Sequence, residues 1–233
     1  MLYKPVDLLT LYLTYADSLQ QGDTAPAGAS NAGNILAPYR SKQAEAGSKL
    51  AVGRMLLTAA VFQIKRPFAY TNSSGVYALD GEQRNRGLEL MATGDATDNL
   101  HIYGGMSWLD PRLRNTASTA TDNKQVVGLS RYTASLFASY DLPALAGTEV
   151  HTGLRYMGRR STDNTNATWT GSYTTADAGV SWKTRLFAQS TTFRLDVTNL
   201  TNRHYWTNIV PGGLNGYTGA GYVSAQPGEP RMA

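Results

Sequence analysis

Three histidines are the residues of this sequence best suited to bind a metal ion or to carry a proton. They are His101, His151 and His204, and no two of them have a spacing such as H-x-x-x-H, which places two imidazoles on one helix face as zinc ligands. Cysteine is absent, which excludes disulfides and thiolate metal sites. We therefore expect no metal site and no bound cofactor.

The acidic residues are spread along the chain rather than gathered into a catalytic arrangement. The sequence has no G-x-S-x-G segment and no compact set of serine, histidine and aspartate, the patterns that would indicate nucleophilic catalysis. We expect no enzyme activity. Instead we expect ion pairs with Arg155, Arg159 and Arg194 for the main carboxylates, which are Glu45, Glu89, Asp141, Asp177 and Asp196.

Charge and hydropathy exclude two further classes of protein. The formal net charge is +4, and the basic residues are scattered with no block of five or six, so no nucleic-acid partner is expected. No segment approaches the roughly 18 consecutive apolar residues of a membrane helix. The first residues, Met-Leu-Tyr-Lys-Pro, form no apolar signal-peptide core, so we expect any export signal to lie outside this sequence.

The elements that must position these residues are indicated by an apolar/polar alternation with a period of two, which is typical of strands with one apolar face. The alternation predicts about nine strands, longer than the roughly 5–6 residues usual in soluble proteins and suited to a tilted membrane strand. The third is the weakest, because Leu57, Ala59 and Val61 blur its alternation. The predicted ranges are 7–19, 40–51, 54–66, 81–95, 99–110, 126–141, 148–160, 169–183 and 190–203.

Connections of two lengths alternate along the chain. Short turns are expected near 51–53, 94–99, 142–147 and 184–190, and long polar loops near 20–39, 67–80, 110–124, 161–168 and 204–228. A meander through a membrane gives this pattern, with short periplasmic turns and longer outer loops.

The alternation also predicts which residues face lipid and which face the lumen of such a barrel. The outward set is Leu9, Leu11, Leu13, Leu136, Val180, Phe193, Leu195 and Val197. The inward set is Glu45, Glu89, Arg155, Asp177, Arg194 and Asp196.

Aromatic residues fall near the predicted strand ends, where they suit the interfacial girdles of a membrane barrel. The alternative is that they cap the core of a soluble barrel. The residues concerned are Tyr15, Trp108, Tyr132, Tyr140, Tyr156, Trp182, Tyr205 and Trp206.

Five segments, in chain order, resemble TonB-dependent siderophore receptors. Tyr15–Leu19 is similar to the Y-A-x-S end of a strand, Ser41–Lys49 to S-x-Q-x-E-x-G-x-K, and Arg84–Leu90 to R-x-R-G-x-E. Val197–Tyr205 resembles the V-x-N-L-x-[DN]-[KR]-x-Y signature near the family's C-terminus, and Gly228–Arg231 resembles the following G-x-P-R. Each segment alone is weak, whereas the ordered set indicates the family and its siderophore branch.

The resemblance implies an all-β fold, an antiparallel transmembrane β-barrel of which this chain holds an incomplete meander of about nine strands. The larger barrel would have about 22 strands and a plugged lumen. Residues 1–233 are then one unit, the C-terminal part of the barrel, and we expect the plug domain, its TonB box and the last strand to be absent from this sequence. The implied location is the bacterial outer membrane.

The implied activity is energised uptake of ferric siderophores, with iron arriving already chelated. The implied partners are the siderophore, outer-membrane lipid, and TonB acting through the plug region. Aromatic residues of the outer loops are the candidate ligand contacts, because rigid rings give large contact area at low entropy cost. These are Tyr70, Trp169, Tyr173, Trp206, Tyr217 and Tyr222, of which the last three lie in the loop that overhangs the cavity in the family.

Three other classes of function stay open on the sequence. One is a small self-contained outer-membrane barrel, porin-like or adhesive, without energised transport. Another is a soluble β-sheet binding module, and the last is an outer-membrane enzyme, which the absence of a catalytic arrangement disfavours.

Overall fold

A computed structural model describes residues 1–211 and 223–233, and every regular element in that part of the chain is a β-strand. The strands are β1 Leu2–Val6, β2 Leu9–Gln20, β3 Tyr39–Val52, β4 Met55–Thr71, β5 Tyr77–Asp95, β6 Leu100–Arg114, β7 Tyr132–Asp141, β8 Thr148–Met157, β9 Arg160–Ser161, β10 Trp169–Thr170, β11 Tyr173–Leu186, β12 Gln189–Val197, β13 Trp206–Pro211 and β14 Val223–Pro227. Within those described ranges, no helix has the length and apolar character needed to cross a membrane.

Ten strands form one antiparallel meander in the order β1–β8, β11, β12, leaving out only the two-stranded ribbons β9–β10 and β13–β14. All nine predicted strands are present, as β2–β8, β11 and β12. The pattern missed β1 and the two ribbons, which are short. Among the described residues β1 pairs only with β2 and β12 only with β11, so this part of the sheet is open at both edges.

The strand pairing confirms the predicted division of the sheet into two faces. Directly paired residues lie on the same face, and the row Leu13, Ala46, Val61, Leu88, Trp108 is apolar throughout. Leu13 is 55% exposed, as a lipid-facing residue should be in a single wall. The third predicted strand also fits, because Leu57, Ala59 and Val61 share the outward face. Its alternation is blurred because most of its inward residues, such as Leu56 and Phe62, are apolar too.

The inward face explains two glycines that stand in the family-like segments. The ring of Tyr12 lies over Gly47, and the ring of Phe62 lies over Gly87, so that a Cβ at either glycine would be 2.5 Å from ring atoms. Glycine in a strand allows this close cross-strand approach. The hydroxyl of Tyr12 then donates a hydrogen bond to Glu45, at 2.8 Å.

Several predicted strand ends were wrong, and the two largest errors have a clear physical reason. The range 126–141 becomes a strand only at Tyr132, because residues 126–131 form a loop in which Val126 is buried and Gly128 has φ +76°. The range 190–203 ends at Val197, because Asn199 adopts the left-handed φ of +48°, a conformation incompatible with a continuing strand.

Apart from Ala60 in β4, the buried apolar residues of the described ranges lie in the outer-loop layer rather than in the wall below it. One cluster joins Ala25 and Ala29 to Tyr77, and a second joins Phe68, Leu113 and Val126. β4 and β5 extend into this layer as a long ribbon, so the predicted loop 67–80 shortens to residues 72–76.

Candidate functional site

The outer end of β12 is organised by the side chain of Asn199. Its Nδ2 donates to the carbonyl oxygens of Arg203 and Glu229, at 3.0 and 2.9 Å, and its Oδ1 accepts from the backbone N–H of Arg203, at 2.8 Å. Asn199 is buried, and asparagine is one of the few residues that tolerates the left-handed backbone here. This side chain therefore ends the strand and binds the 228–232 segment to it.

The segment after β14 returns to the same place. Thr198 and Met232 form an antiparallel bridge, and the N–H of Arg231 donates to Oδ1 of Asn202, at 3.2 Å. The ring of Tyr205 covers Gly228 so closely that a Cβ there would lie 2.1 Å from it. The two family-like segments at this end of the chain are thus one structural unit that sets the position of β13.

The buried side chain of Arg160 fixes β13 to the barrel rim. Arg160 is only 4% exposed, and its guanidinium donates hydrogen bonds to the carbonyl oxygens of Trp206 and Thr207. It also lies 6.0 Å from the ring centroid of Tyr173, whose ring contacts Tyr205 at a centroid distance of 4.2 Å. Burial lowers the pKa of Arg160, and this effect outweighs the opposite effect of nearby Tyr173. We call this arrangement the Arg160 clamp.

The loop before β7 supports the clamp from one side. The N–H of Gly128 donates to the carbonyl oxygen of Ser161, at 3.0 Å. With its φ of +76°, Gly128 also lies against the carbonyl oxygen of buried Ile209, so that a Cβ would be 2.4 Å away. Only glycine fits this left-handed close approach.

The loop between β8 and β11 is held by Asp163 and Asn166. Asp163 accepts from the N–H groups of Thr165, Ala167 and Thr168, at 2.8, 3.1 and 2.6 Å. Partial burial raises the pKa of this carboxyl, but hydrogen bonds from Thr165 and Thr168 outweigh it and hold the pKa well below its usual range. Asn166 exchanges hydrogen bonds with the backbone of Gln125, at 2.6 and 2.9 Å, and so joins two loops.

On the other side of the rim, Asn31 plays the same joining role. It exchanges hydrogen bonds with the backbone N–H and C=O of Tyr77, both at 2.9 Å. The Tyr70 ring stacks on Phe68 at 5.7 Å, and its hydroxyl accepts from the N–H of Ala117, at 2.8 Å. In the part of the chain that the structure describes, the outer loops are therefore packed against one another as a fixed rim.

The predicted ligand-contact residues occupy three different environments. Trp206 is 48% exposed on β13, whereas Tyr173 is 5% exposed beneath it, and the Arg160 clamp brings the two together. Tyr70 packs between loops, and Trp169 donates from Nε1 to the carbonyl oxygen of Asn166, at 2.9 Å. Tyr217 and Tyr222 lie outside the described residues. Sequence reasoning missed Arg160, whose one signal was the Arg159-Arg160 pair at a strand end.

Apart from β4, the inward wall below this rim is largely polar, but the partners of its carboxylates differ in part from the prediction. Asp196 forms the predicted ion pair with Arg194, at 3.9 Å from its Nε, but it lies closer to Nε2 of His151, at 2.6 Å. Asp141 lies 3.3 Å from Nε2 of His101. A histidine is the nearer partner of Asp196 because the strand register, which sequence parity does not reveal, places His151 and Asp196 in one row on either side of Gly179.

The arrangement as a whole suits binding at a fixed rim. The exposed indole of Trp206 lies on the β13–β14 ribbon, which Arg160 holds in place. The inward wall carries carboxylates, hydroxyls and histidines. In the part of the chain that the structure describes, no group of three or more His, Asp or Glu side chains could hold a metal ion.

The family model described as "TonB dependent receptor-like, beta-barrel" matches residues 1–200. Over 230 residues, covering 94% of this chain, the sequence is 31% identical to the "Ferrichrome receptor FcuA" of Yersinia enterocolitica, of which it covers 30%. It is also 29% identical over 201 residues to the "Ferrioxamine B receptor" of Salmonella typhimurium, covering 83% of this chain and 28% of that protein.

A solved structure of a receptor also resembles this chain. The chain superposes on the ferric preacinetobactin receptor BauA of Acinetobacter baumannii with a TM-score of 0.82 and 31% sequence identity. The superposition covers 99% of this chain and 34% of the receptor. The chain thus spans about a third or less of the length of the relatives it matches.

Proposed function

This chain belongs to the TonB-dependent receptor family, in its β-barrel part, and we propose that the protein binds a ferric siderophore and imports it across the bacterial outer membrane. The two relatives reported above are receptors for ferrichrome and ferrioxamine B, and the superposed structure is a receptor for ferric preacinetobactin. The family's barrels lie in the outer membrane, and the outward apolar face of the sheet agrees with that location.

The observation that carries the proposal is the exposed ring of Trp206 on the Arg160 clamp. An aromatic ring held by a fixed backbone loses little entropy on binding, so it suits contact with a bulky ferric chelate. We assign Trp206 to the ligand surface, together with Tyr217 and Tyr222, which the sequence places between β13 and β14. Tyr70, Tyr173 and Trp169 then act chiefly by supporting the rim.

The remaining partners follow from the same proposal. Residues 1–233 form the C-terminal part of the barrel, and TonB acts on the receptor through a plug region. Iron enters as part of the ligand, so no cofactor is needed. The self-contained small barrel would require β1 to pair with β12, and the described residues support no such pairing.

The proposal is tested with the complete protein in an iron-starved host that lacks its own receptors. We expect growth and uptake of radioactive iron with at least one ferric siderophore, and loss of both when TonB is deleted. A control strain carries the empty vector. Channel conductance without siderophore binding, or uptake that persists without TonB, would instead support the small-barrel alternative.

A further inference from the structure

Charged side chains from three successive short turns meet at the periplasmic end of the wall. Arg54 belongs to the turn between β3 and β4. Asp95 ends β5, Asp98 lies in the turn that follows, and His101 is the second residue of β6. Asp141 ends β7, just before the turn to β8. We call these five residues the turn cluster.

The ring of His101 lies between two carboxylates of the turn cluster. Its Nδ1 is 2.6 Å from Oδ1 of Asp95, and its Nε2 is 3.3 Å from Oδ2 of Asp141. A neutral imidazole has one N–H, so it can donate to only one of these oxygens, and the lone pair of its other nitrogen would face the second carboxylate. The imidazolium donates from both nitrogens. Both contacts are therefore hydrogen bonds only when His101 is protonated.

Strand pairing holds His101 in this position. Asp95 pairs directly with His101, and His101 pairs with Ser139. Asp141 lies two residues after Ser139 on β7 and so shares its face, which is the inward one. The side chain of His101 is 39% exposed, so its proton can exchange with water.

The other charged groups around the ring favour the imidazolium. Arg54 lies 2.8 Å from Asp98 and 3.6 Å from Asp95, so its one charge is shared between two carboxylates. Glu149 of β8 pairs directly with Asp141, and like charges that face each other across a sheet are unfavourable. Protonation of His101 supplies a second cation at the point where these carboxylates are most crowded.

The contacts of His101 join turns that are otherwise joined mainly through the backbone. The N–H of Asp95 donates to the carbonyl oxygen of Arg54, at 3.3 Å, and the N–H of Asp141 donates to the carbonyl oxygen of Asn99, at 2.9 Å. Among the described residues, the imidazolium of His101 is the side-chain connection between the second of the three turns and the third.

We propose that His101 is a pH-sensitive switch of the periplasmic rim, which joins the β5–β6 and β7–β8 turns when its ring is protonated and lets them separate when the ring is neutral. Two carboxylates favour the charged ring, so the switch should stay closed through about pH 6.5, where histidine in an unfolded chain loses its proton. It should open at higher pH. The rim is then tighter in acidic than in alkaline surroundings, and this behaviour does not depend on siderophore binding.

The test measures the distance between the two turns in the complete receptor, folded in lipid vesicles. Nitroxide labels are attached at Ala96→Cys and Ala144→Cys, which are exposed positions in the second and third turns, and pulsed EPR gives the distribution of distances. These 233 residues contain no cysteine, so no other position among them takes up the label. A reference pair, Ala144→Cys with Ala188→Cys, spans two turns that His101 does not contact.

We expect the distribution for the first pair to be narrow at about pH 6 and about twofold wider at about pH 9. His101→Lys keeps its positive charge at both values, because a lysine pKa is about 10.4, so this variant should stay narrow. His101→Gln is uncharged at both values and should show no pH dependence. The matched control is His151→Gln, because His151 lies in the same row beyond Ser139 and contacts Asp196 instead. It should respond to pH as the wild type does.

A pH response in His101→Gln equal to that of the wild type would overturn the proposal, and so would a wild-type distribution of the same width at both pH values. Equal broadening of the reference pair would also overturn it, because the whole rim would then loosen. Asp141→Asn provides a second variant in case His101→Lys does not insert, and its distribution should be wide at both pH values. Ferric-siderophore binding by the same preparations reports separately on the proposed function.

Discussion

The membrane wall and the outer-loop layer of this chain obey opposite rules of burial. In the wall, large apolar side chains such as Leu136 and Leu195 are exposed, because their solvent is lipid. In the loop layer, Tyr77 and Leu113 are fully buried, as in the core of a soluble protein. One short chain therefore suits two environments, lipid around the wall and a packed protein interior in the loop layer. The environment changes along single strands, where β4 to β6 leave the wall and enter the loop layer.

The two regions also differ in what stabilises them. The wall depends on repeated backbone pairing, in which no single side chain is decisive. The loop layer depends on individual polar side chains, of which Asn31, Asn166, Asn199 and Arg160 each join segments distant in sequence. From this difference we expect a substitution in the wall to change stability through its contact with the membrane. A substitution in the loops should change stability through the loss of one specific contact.

The largest expected effect is a charge at the middle of the outward wall. Leu136 lies midway between Tyr132 and Tyr140 of the two girdles on β7, so Leu136→Arg should destabilise the barrel by about 2–4 kcal/mol. Unfolding of the complete receptor in lipid vesicles measures this cost. Met91 faces inward and pairs with the uncharged Thr58 and Gly105, so Met91→Arg is the control and should cost far less; equal costs would contradict the assignment of faces.

Loss of the Arg160 clamp should have the next largest effect, and it should stay local. Arg160→Met leaves the carbonyl oxygens of Trp206 and Thr207 unpaired, at a cost of about 1.5–3 kcal/mol. Hydrogen exchange should speed up in β13 and β14 while the wall stays protected. The neighbouring Arg159→Met is the control, since Arg159 donates no hydrogen bond to the ribbon. A uniform rise in exchange across the sheet would show that wall and loops are not separable.

The wall could be predicted from the sequence because a period of two is a local property. All nine long strands and their inward and outward faces were found in this way, and the family resemblance supplied the membrane. What the pattern could not show is register. The cations Lys42, Lys65, Arg84 and Arg112 are scattered in sequence and become neighbours only when the strands are paired.

The loop layer was harder to predict for a physical reason. Its geometry depends on pairs such as Asn166 with Gln125, and on the left-handed backbone of Asn199, and neither leaves a periodic signal. Aromatic residues were found by type, yet type alone did not separate exposed Trp206 from buried Tyr173. The contacts that each ring makes in the folded protein determine whether the ring is free to contact a ligand or is packed in the loop layer.

A smaller effect is expected when a ring is removed from the rim without disturbing the clamp. Trp206→Ala keeps the backbone carbonyl that Arg160 binds, so it should weaken ferric-siderophore binding by about 1–2 kcal/mol while stability is retained. Titration of the complete receptor with a panel of hydroxamate and catecholate chelates measures this. Trp182→Ala, in the inner girdle, is the control, and unchanged affinity for every chelate in the Trp206 variant would remove this ring from the site.

The smallest effect is a pH dependence confined to the loop between β8 and β11. The pKa of Asp163 is lower in the folded loop than in an unfolded chain, so its hydrogen bonds stabilise the loop fully above the unfolded value of about 4. That contribution is lost as the pH falls below 4 toward the folded pKa. Limited proteolysis by an acid-active protease should therefore cut residues 161–168 faster at low pH. In Asp163→Asn the loop should be cut faster than in the wild type already at a pH a little above the unfolded value of about 4, and it should show little further change on acidification. A pH response equal to that of the wild type would assign the effect to another carboxylate.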